Sequence, residues 1–161
     1  MAELRTIENF PKEGVTFVDI SPKLADKDDY KAIIDKMCTF IPEGTDYIVG
    51  PESRGNIFAA PVAIKLGIGF IPVRKKGKLP DDLVYSAEYE KEYCVDVICL
   101  PKNDIYEGIN FYVMDDVLAT GGTLQACKVL IKQAGGNYVG AGFYINIKAL
   151  NNEEIDCVEE F

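Results

Sequence analysis

"VMDDVLATGGTLQACKVLIKQAGG", residues 113–136, decides how this chain folds. The run "INFYVM" (109–114) leads into it with the unbroken hydrophobicity of a strand covered on both faces. Two adjacent carboxylates, Asp115 and Asp116, follow, and then Ala119-Thr120-Gly121-Gly122-Thr123. From Thr123 a helix is predicted over 123–136, with Cys127, Leu130, Ile131 and Ala134 on one face and a Gly-Gly stop. Gly121 and Gly122 let the backbone turn between strand and helix without a Cβ clash. Successive N–H groups then face one concavity, and the helix N-terminus adds positive partial charge. With the hydroxyls of Thr120 and Thr123, this makes a cradle for one phosphate group. No GKS or GKT follows the glycines, so it is not a P-loop, and GxGxxG is absent. Carboxylates placed just before the cradle would accept hydrogen bonds from sugar hydroxyls. A phosphate at one end and a vicinal diol at the other describe a ribose 5-phosphate.

Working outward, "DYIVG" (46–50) and "GFIPV" (69–73) read as buried strands, and "YVGAGFYINI" (138–147) as another. "GVTFVDISP" (14–22) is a short extended piece. Asp28 or Asp29 is expected to cap a helix carrying Tyr30, Ile33, Ile34, Met37 and Ile41 at helical spacing. "SRGNIFAAPVAIKLG" (53–67) reads as a helix ending near Gly67, with Pro61 kinking or shortening it. Strands alternating with helices predict an α/β fold, a mostly parallel sheet flanked by helices. In such sheets ligands bind at the carboxyl ends of the strands. Asp115-Asp116, Glu52-Ser53-Arg54 and Arg74-Lys75 each follow a predicted strand and should gather there. Residues 77–108 interrupt the alternation as a hairpin or flexible loop.

Composition narrows the classes. The 161 residues suit one domain, and 48% hydrophobic content is enough for a core. The net charge of −9 argues against nucleic acid as a partner. No apolar run approaches the ~18–20 residues a bilayer span needs, and "MAELRTIENF" has no signal core. Five cysteines without a CxxC pair point to reduced thiols in a cytoplasmic setting. Histidine is absent, which removes Ser-His and Cys-His chemistry. Against this acidic background Arg74, Lys75, Lys76 and Lys78 cluster in "VRKKGKLP" (73–80). Such a run is either a solvated face or a set of cations for a polyanionic ligand. Arg54 is a further cation for such a ligand, or a surface partner of Glu52. "SAEYEKEY" (86–93) would be an acidic surface hairpin, or a lid bringing one of its glutamates over a site as general acid or base.

Taken in order, "ENFPKEGVTFVDISP", "IVGPESRG", "GIGFIPVRKKGKLP", "EKEYC" and "VMDDVLATGGT" resemble the type I purine/pyrimidine phosphoribosyltransferases, of the adenine kind, over nearly the whole chain. The resemblance implies a single domain, 1–161, with a small N-terminal hood (roughly 1–22) and a mobile loop (roughly 77–99). It implies transfer of the 5-phosphoribosyl group of phosphoribosyl pyrophosphate (PRPP), with Mg²⁺, to adenine, giving AMP and pyrophosphate in purine salvage. By the same resemblance Asp115 and Asp116 hold the ribose hydroxyls and help organise Mg²⁺, which is held mainly by PRPP, with Asp115 the one protein group named for it. Ala119, Thr120, Gly121, Gly122 and Thr123 hold the 5-phosphate. Ser53 and Arg54, in a loop that often contains a strained peptide, meet the pyrophosphate, as do Arg74, Lys75 and Lys78. Glu92 is the lid carboxylate near purine N7, with Tyr93 beside it. The base lies between Phe17 and Ile147, its edge read by backbone groups of Thr16 and Val18. Enzymes for 6-oxopurines typically carry Asp where this chain has Ala119. The chain also departs from the family pattern at Val18, Asn56, Cys94 and Asn146. A homodimer is implied, with small-molecule partners and neither nucleic acid nor membrane. Two other readings use the same motifs: transfer to hypoxanthine, guanine or another base, and a non-catalytic PRPP-responsive regulator.

Overall fold

The computed structural model describes residues 3–10, 12–90, 95–102 and 106–161. It divides into two compact units, Met1–Lys36 and Met37–Phe161. In the first, β1 (Arg5–Glu8) and β2 (Thr16–Asp19) pair antiparallel, and α1 (Ser21–Ala25) leads into α2 (Lys27–Cys38). Arg5 Nε donates to Asp19 Oδ2 at 2.9 Å, tying β1 to the end of β2. Hydrogen bonds from Ser21, then the Arg5 guanidinium, hold the Asp19 carboxyl down at about 2. The α2 cap differs from expectation. The N–H groups of Asp28 and Asp29 both donate to Asp26 Oδ1, at 2.9 and 3.1 Å, so Asp26 caps the helix and the two expected caps lie inside it. A side chain just before the first turn can reach those donors, and one within it cannot reach its own.

The second unit is built on a seven-stranded sheet in the order β5-β6-β4-β3-β7-β8-β9. Its strands are β3 (Tyr47–Pro51), β4 (Gly69–Lys75), β5 (Val84–Glu90), β6 (Val95–Pro101), β7 (Asn110–Leu118), β8 (Asn137–Asn146) and β9 (Asp156–Glu160). The helices are α3 (Gly55–Leu66) and α4 (Gly122–Gln133). The pairs β3·β4, β3·β7, β7·β8 and β8·β9 are parallel, and β4·β6 and β5·β6 are antiparallel. The expected mostly parallel α/β sheet is what forms. β3 and β7 sit at its centre, where both faces are covered, and their burial is nearly continuous. Val49, Phe111, Val113, Leu124, Cys127, Leu130 and Phe143 belong to one buried cluster, with Tyr47 stacked on Phe111 at 5.7 Å.

α3 spans Gly55–Leu66 with Pro61 inside it, shorter than the expected 53–67. An interior proline costs about 3 kcal/mol, but Phe58, Ala59, Val62 and Ala63 on either side of it are buried. Their packing keeps the helix to Gly67, whose φ of 69° closes it. Of the two forms expected within 77–108, the hairpin is found: β5 and β6 pair antiparallel and extend the sheet through the pairs Arg74↔Cys99 and Lys75↔Ile98. Val84 and Ala87 are buried and Glu88 is exposed. Residues 91–94 lie outside the described residues, as do Met1, Ala2, Pro11 and 103–105.

Candidate active site

β7 does not stop at Met114; it runs to Leu118 and carries both carboxylates within the strand. Asp115 pairs with Phe143 of β8, so the acidic pair is held by a ladder rather than by a loop. Arg74 and Lys75 likewise lie in β4 rather than after it. Asp115 is buried, and its Oδ1 accepts the N–H of Asp116 at 2.8 Å. Burial, and then the neighbouring charge of Asp116, push the Asp115 carboxyl well above the usual carboxylate range. Burial, with Asp115 close by, pushes the Cys127 thiol up. Asp116 is paired with Arg54, whose Nε and terminal guanidinium nitrogen both reach Asp116 Oδ2.

The start of α3 is pressed against this pair. A Cβ at Gly55 would stand 2.6 Å from Asp115 Oδ1, 2.9 Å from Pro51 Cδ and 3.1 Å from the Met114 carbonyl oxygen. Glycine is therefore what lets Arg54, one residue earlier, come within reach of Asp116. The Glu52–Ser53 peptide bond in this loop is cis. Glu52 takes Arg74 rather than Arg54: Arg74 Nε donates to Glu52 Oε2 at 2.9 Å and the Lys75 N–H to the same oxygen at 3.1 Å. Arg74, then the Lys75 N–H, holds the Glu52 carboxyl below its ordinary value. The β3 and β4 ends are thus locked side by side, with Lys75 Nζ also 3.7 Å from Asp96. Lys78 donates its N–H to the Lys75 carbonyl at 3.2 Å, keeping the basic turn close to Glu52.

Beyond β7 the chain turns at Gly121, with φ 85° and ψ 0°, and α4 begins at Gly122. A side chain with a Cβ adopts that conformation only with strain. No side-chain cap satisfies the first N–H groups of α4 among the described residues. They are left to an anion or to water. Thr120 is exposed and Thr123 half-buried beside them. Ile147 donates its N–H to the Leu118 carbonyl at 2.9 Å, so the end of β8 lies beside the entry to this turn.

Residues 23–154 match the model of the phosphoribosyl transferase domain. The chain is 48% identical over 152 residues to the adenine phosphoribosyltransferase of Streptococcus thermophilus, covering 94% of this chain and 88% of that protein. This chain belongs to the phosphoribosyl transferase family. Among solved structures, the adenine phosphoribosyltransferase of Thermoanaerobacter pseudethanolicus superposes with a TM-score of 0.90 at 37% identity, covering 98% of this chain and 95% of that one. The Saccharomyces cerevisiae enzyme, complexed with an imino-altritol bisphosphate and adenine, gives 0.84 at 39% identity over 91% of this chain and 86% of that one.

Within this phosphoribosyltransferase, the second unit brings together Asp116 and Arg54, and separately Glu52, Arg74 and Lys75. Thr16, Phe17 and Val18 lie in β2 of the first unit, Phe17 edge-on to Phe10 at 5.4 Å; Ile147 is in the second unit. Glu92, Tyr93 and Cys94 fall outside the described residues. Among the described residues no group of three or more acidic, cysteine or histidine side chains forms a metal cage. The adjacent carboxylates do fit Mg²⁺ in its usual form, where one or two carboxylates join phosphate oxygens and waters. The sequence marks Gly55 as presenting Arg54, but gives no sign of its close approach to Asp115, of the bracing role of Glu52, or of Asn151.

Proposed function

We propose that this chain is a purine-salvage enzyme that transfers the 5-phosphoribosyl group of PRPP to adenine, forming AMP and pyrophosphate. What carries the reading is likeness along almost the whole chain to adenine phosphoribosyltransferases, one of them complexed with an imino-altritol bisphosphate and adenine. The bond from the sugar's anomeric carbon to pyrophosphate breaks, a bond to a purine nitrogen forms, and that nitrogen gives up its proton. The sugar carbon gains oxocarbenium-like charge on the way. Asp115 and Asp116 hold the ribose hydroxyls, and residues 119–123 take the 5-phosphate on the uncapped start of α4. Arg54, Arg74, Lys75 and Lys78, with Ser53, receive the pyrophosphate. Arg54 exchanges Asp116 for it, which frees Asp116 for the sugar. Bound with PRPP, Mg²⁺ neutralises and orients the leaving group.

Base reading is assigned to Thr16, Phe17, Val18 and Ile147. A backbone carbonyl accepts from the exocyclic amine and an N–H donates to N1, a pattern that a 6-oxopurine meets with mismatched groups. Ala119 leaves out the carboxylate typical of 6-oxopurine enzymes. Glu92 is the general acid or base, with Tyr93 beside it. The working form is a single-domain cytoplasmic homodimer with a hood (roughly 1–22) and a mobile loop (roughly 77–99). Light scattering that finds only monomer at assay concentrations would remove the dimer from this picture.

The test is pyrophosphate release from PRPP and Mg²⁺ with a panel of bases. Adenine alone is expected to support turnover. Turnover with hypoxanthine or guanine but not adenine would overturn the base assignment, and tight PRPP binding without turnover would favour a regulator. Glu92→Gln is expected to lower kcat by about 10²-fold or more, the usual scale of general acid–base catalysis, with a smaller change in KM. A rise in KM at unchanged kcat would make Glu92 a binding residue.

A further inference from the structure

The short segment after β8 crosses the phosphate turn and is bonded to both of its sides. Asn151 Nδ2 donates to the Ala119 carbonyl at 2.9 Å, to Asn146 Oδ1 at 3.0 Å and to the Ile147 carbonyl at 3.1 Å. Two of those three groups are main-chain carbonyls, which only accept, so the Asn151 atom facing them is the amide nitrogen. Asn146 must then present its oxygen. That leaves Asn146 Nδ2, in a residue with no solvent exposure, without a hydrogen-bond partner. Turning the Asn146 amide over would set donor against donor. A buried donor left unmade is costly, so the arrangement favours Asn151 at the expense of Asn146. Asn151 Oδ1 accepts the N–H of Glu153 at 3.1 Å. Glu153 in turn takes Gln125 Nε2 at 2.7 Å and Lys128 Nζ at 3.2 Å, both from α4, and its side chain lies over Gly121.

We propose that Asn151, fixed by Asn146, is a positioning residue that sets the Ala119 carbonyl and through it the main-chain geometry of the 119–123 phosphate cradle. Ala119 carries no side chain able to hold the turn, and its peptide group opens the concavity. Asn151 anchors the entry to the turn and Glu153 anchors its exit on α4, so the N–H groups between them are aimed before ligand arrives. Such preorganisation lowers the ordering cost of binding. This inference rests on the phosphoribosyl-transfer reading above.

The test compares Asn151→Asp and Asn151→Ala with the wild-type chain by calorimetric binding of ribose 5-phosphate and, separately, of pyrophosphate. The aspartate keeps the acceptor for the Glu153 N–H but turns the donor into a charge facing three acceptors. It is expected to weaken ribose 5-phosphate by about tenfold or more, and more than the alanine does, with pyrophosphate changed by no more than about twofold. A role in packing alone would reverse that order, because alanine removes more atoms. Unchanged ribose 5-phosphate binding, equal weakening of both ligands, or alanine worse than aspartate would each overturn the proposal. If the aspartate chain does not fold by circular dichroism, the alanine chain carries the two-ligand comparison alone. A wild-type chain that binds ribose 5-phosphate yet does not use adenine would sink the adenine reading and leave this one standing.

Discussion

Asp116→Asn is expected to cut PRPP-dependent turnover by about 10²- to 10⁴-fold while the chain stays folded. In the proposed ribose-binding role Asp116 accepts two charge-assisted hydrogen bonds, each worth roughly 1.5–3 kcal/mol, at a tenfold change in rate per 1.36 kcal/mol. An asparagine keeps the volume, so β7 and its ladders to β3 and β8 are left alone. It still offers Arg54 one oxygen, but the charge that pairs with the guanidinium is gone. Steady-state kinetics in PRPP, with circular dichroism as the fold control, measure the effect. Kinetics within a few-fold of wild type would mean that Asp116 serves only to hold Arg54. The buried Asp115 beside it makes a useful contrast. Its Oδ1 is committed to the Asp116 N–H, whereas Asp116 is held by Arg54.

Gly55→Ala is expected to cost about 1–3 kcal/mol of stability, the usual penalty for adding a methyl group to a packed site. At roughly 2–4 °C per kcal/mol for a chain of this size, the melting temperature should fall by about 2–12 °C. The φ of Gly55 is not positive, so the penalty is steric rather than conformational. None of the three atoms that the methyl group would meet is the far end of a flexible side chain. The Met114 carbonyl belongs to the central strand, Pro51 Cδ to a ring, and Asp115 Oδ1 is held by the Asp116 N–H. Relief would have to come from a shift of α3 away from β7, carrying Arg54 off Asp116. Activity is therefore expected to fall further than stability alone explains. Thermal melts and PRPP kinetics on one preparation test both halves. An unchanged melting temperature would show that the helix start can yield at no cost.

The central α/β architecture was legible because its signals are local. Apolar runs for β3, β4, β7 and β8 are bounded by glycines or charges, and helical spacing marks α2 and α4. β1 and β9 were not legible. Every residue of β1 is exposed and β9 is at most half-buried, so neither carries a hydrophobic pattern to read. The strand ends were misplaced at Met114 and Val73 because charged residues look like the end of a strand. In β7 and β4 they continue it, since ladder bonds and a partner charge offset the cost of burying or crowding them.

The sequence by itself determined the glycine turn into α4, the acidic pair before it and the family they belong to, because each depends on residues adjacent in the chain. Only the tertiary structure decided the pairing of the charges. Arg54 meets Asp116 across 62 positions and Arg74 meets Glu52 across 22. From the sequence alone Glu52 was the nearer partner for Arg54. The helix start at Gly55 aims the guanidinium at β7 instead, and the parallel register of β3 with β4 delivers Arg74 to Glu52. Likewise Asn151 stands 32 positions from Ala119 and in no motif; the β8 ladder brings them to 2.9 Å. Electrostatic partners and buried amides are chosen by where strands end in space, and spacing along the chain does not encode that.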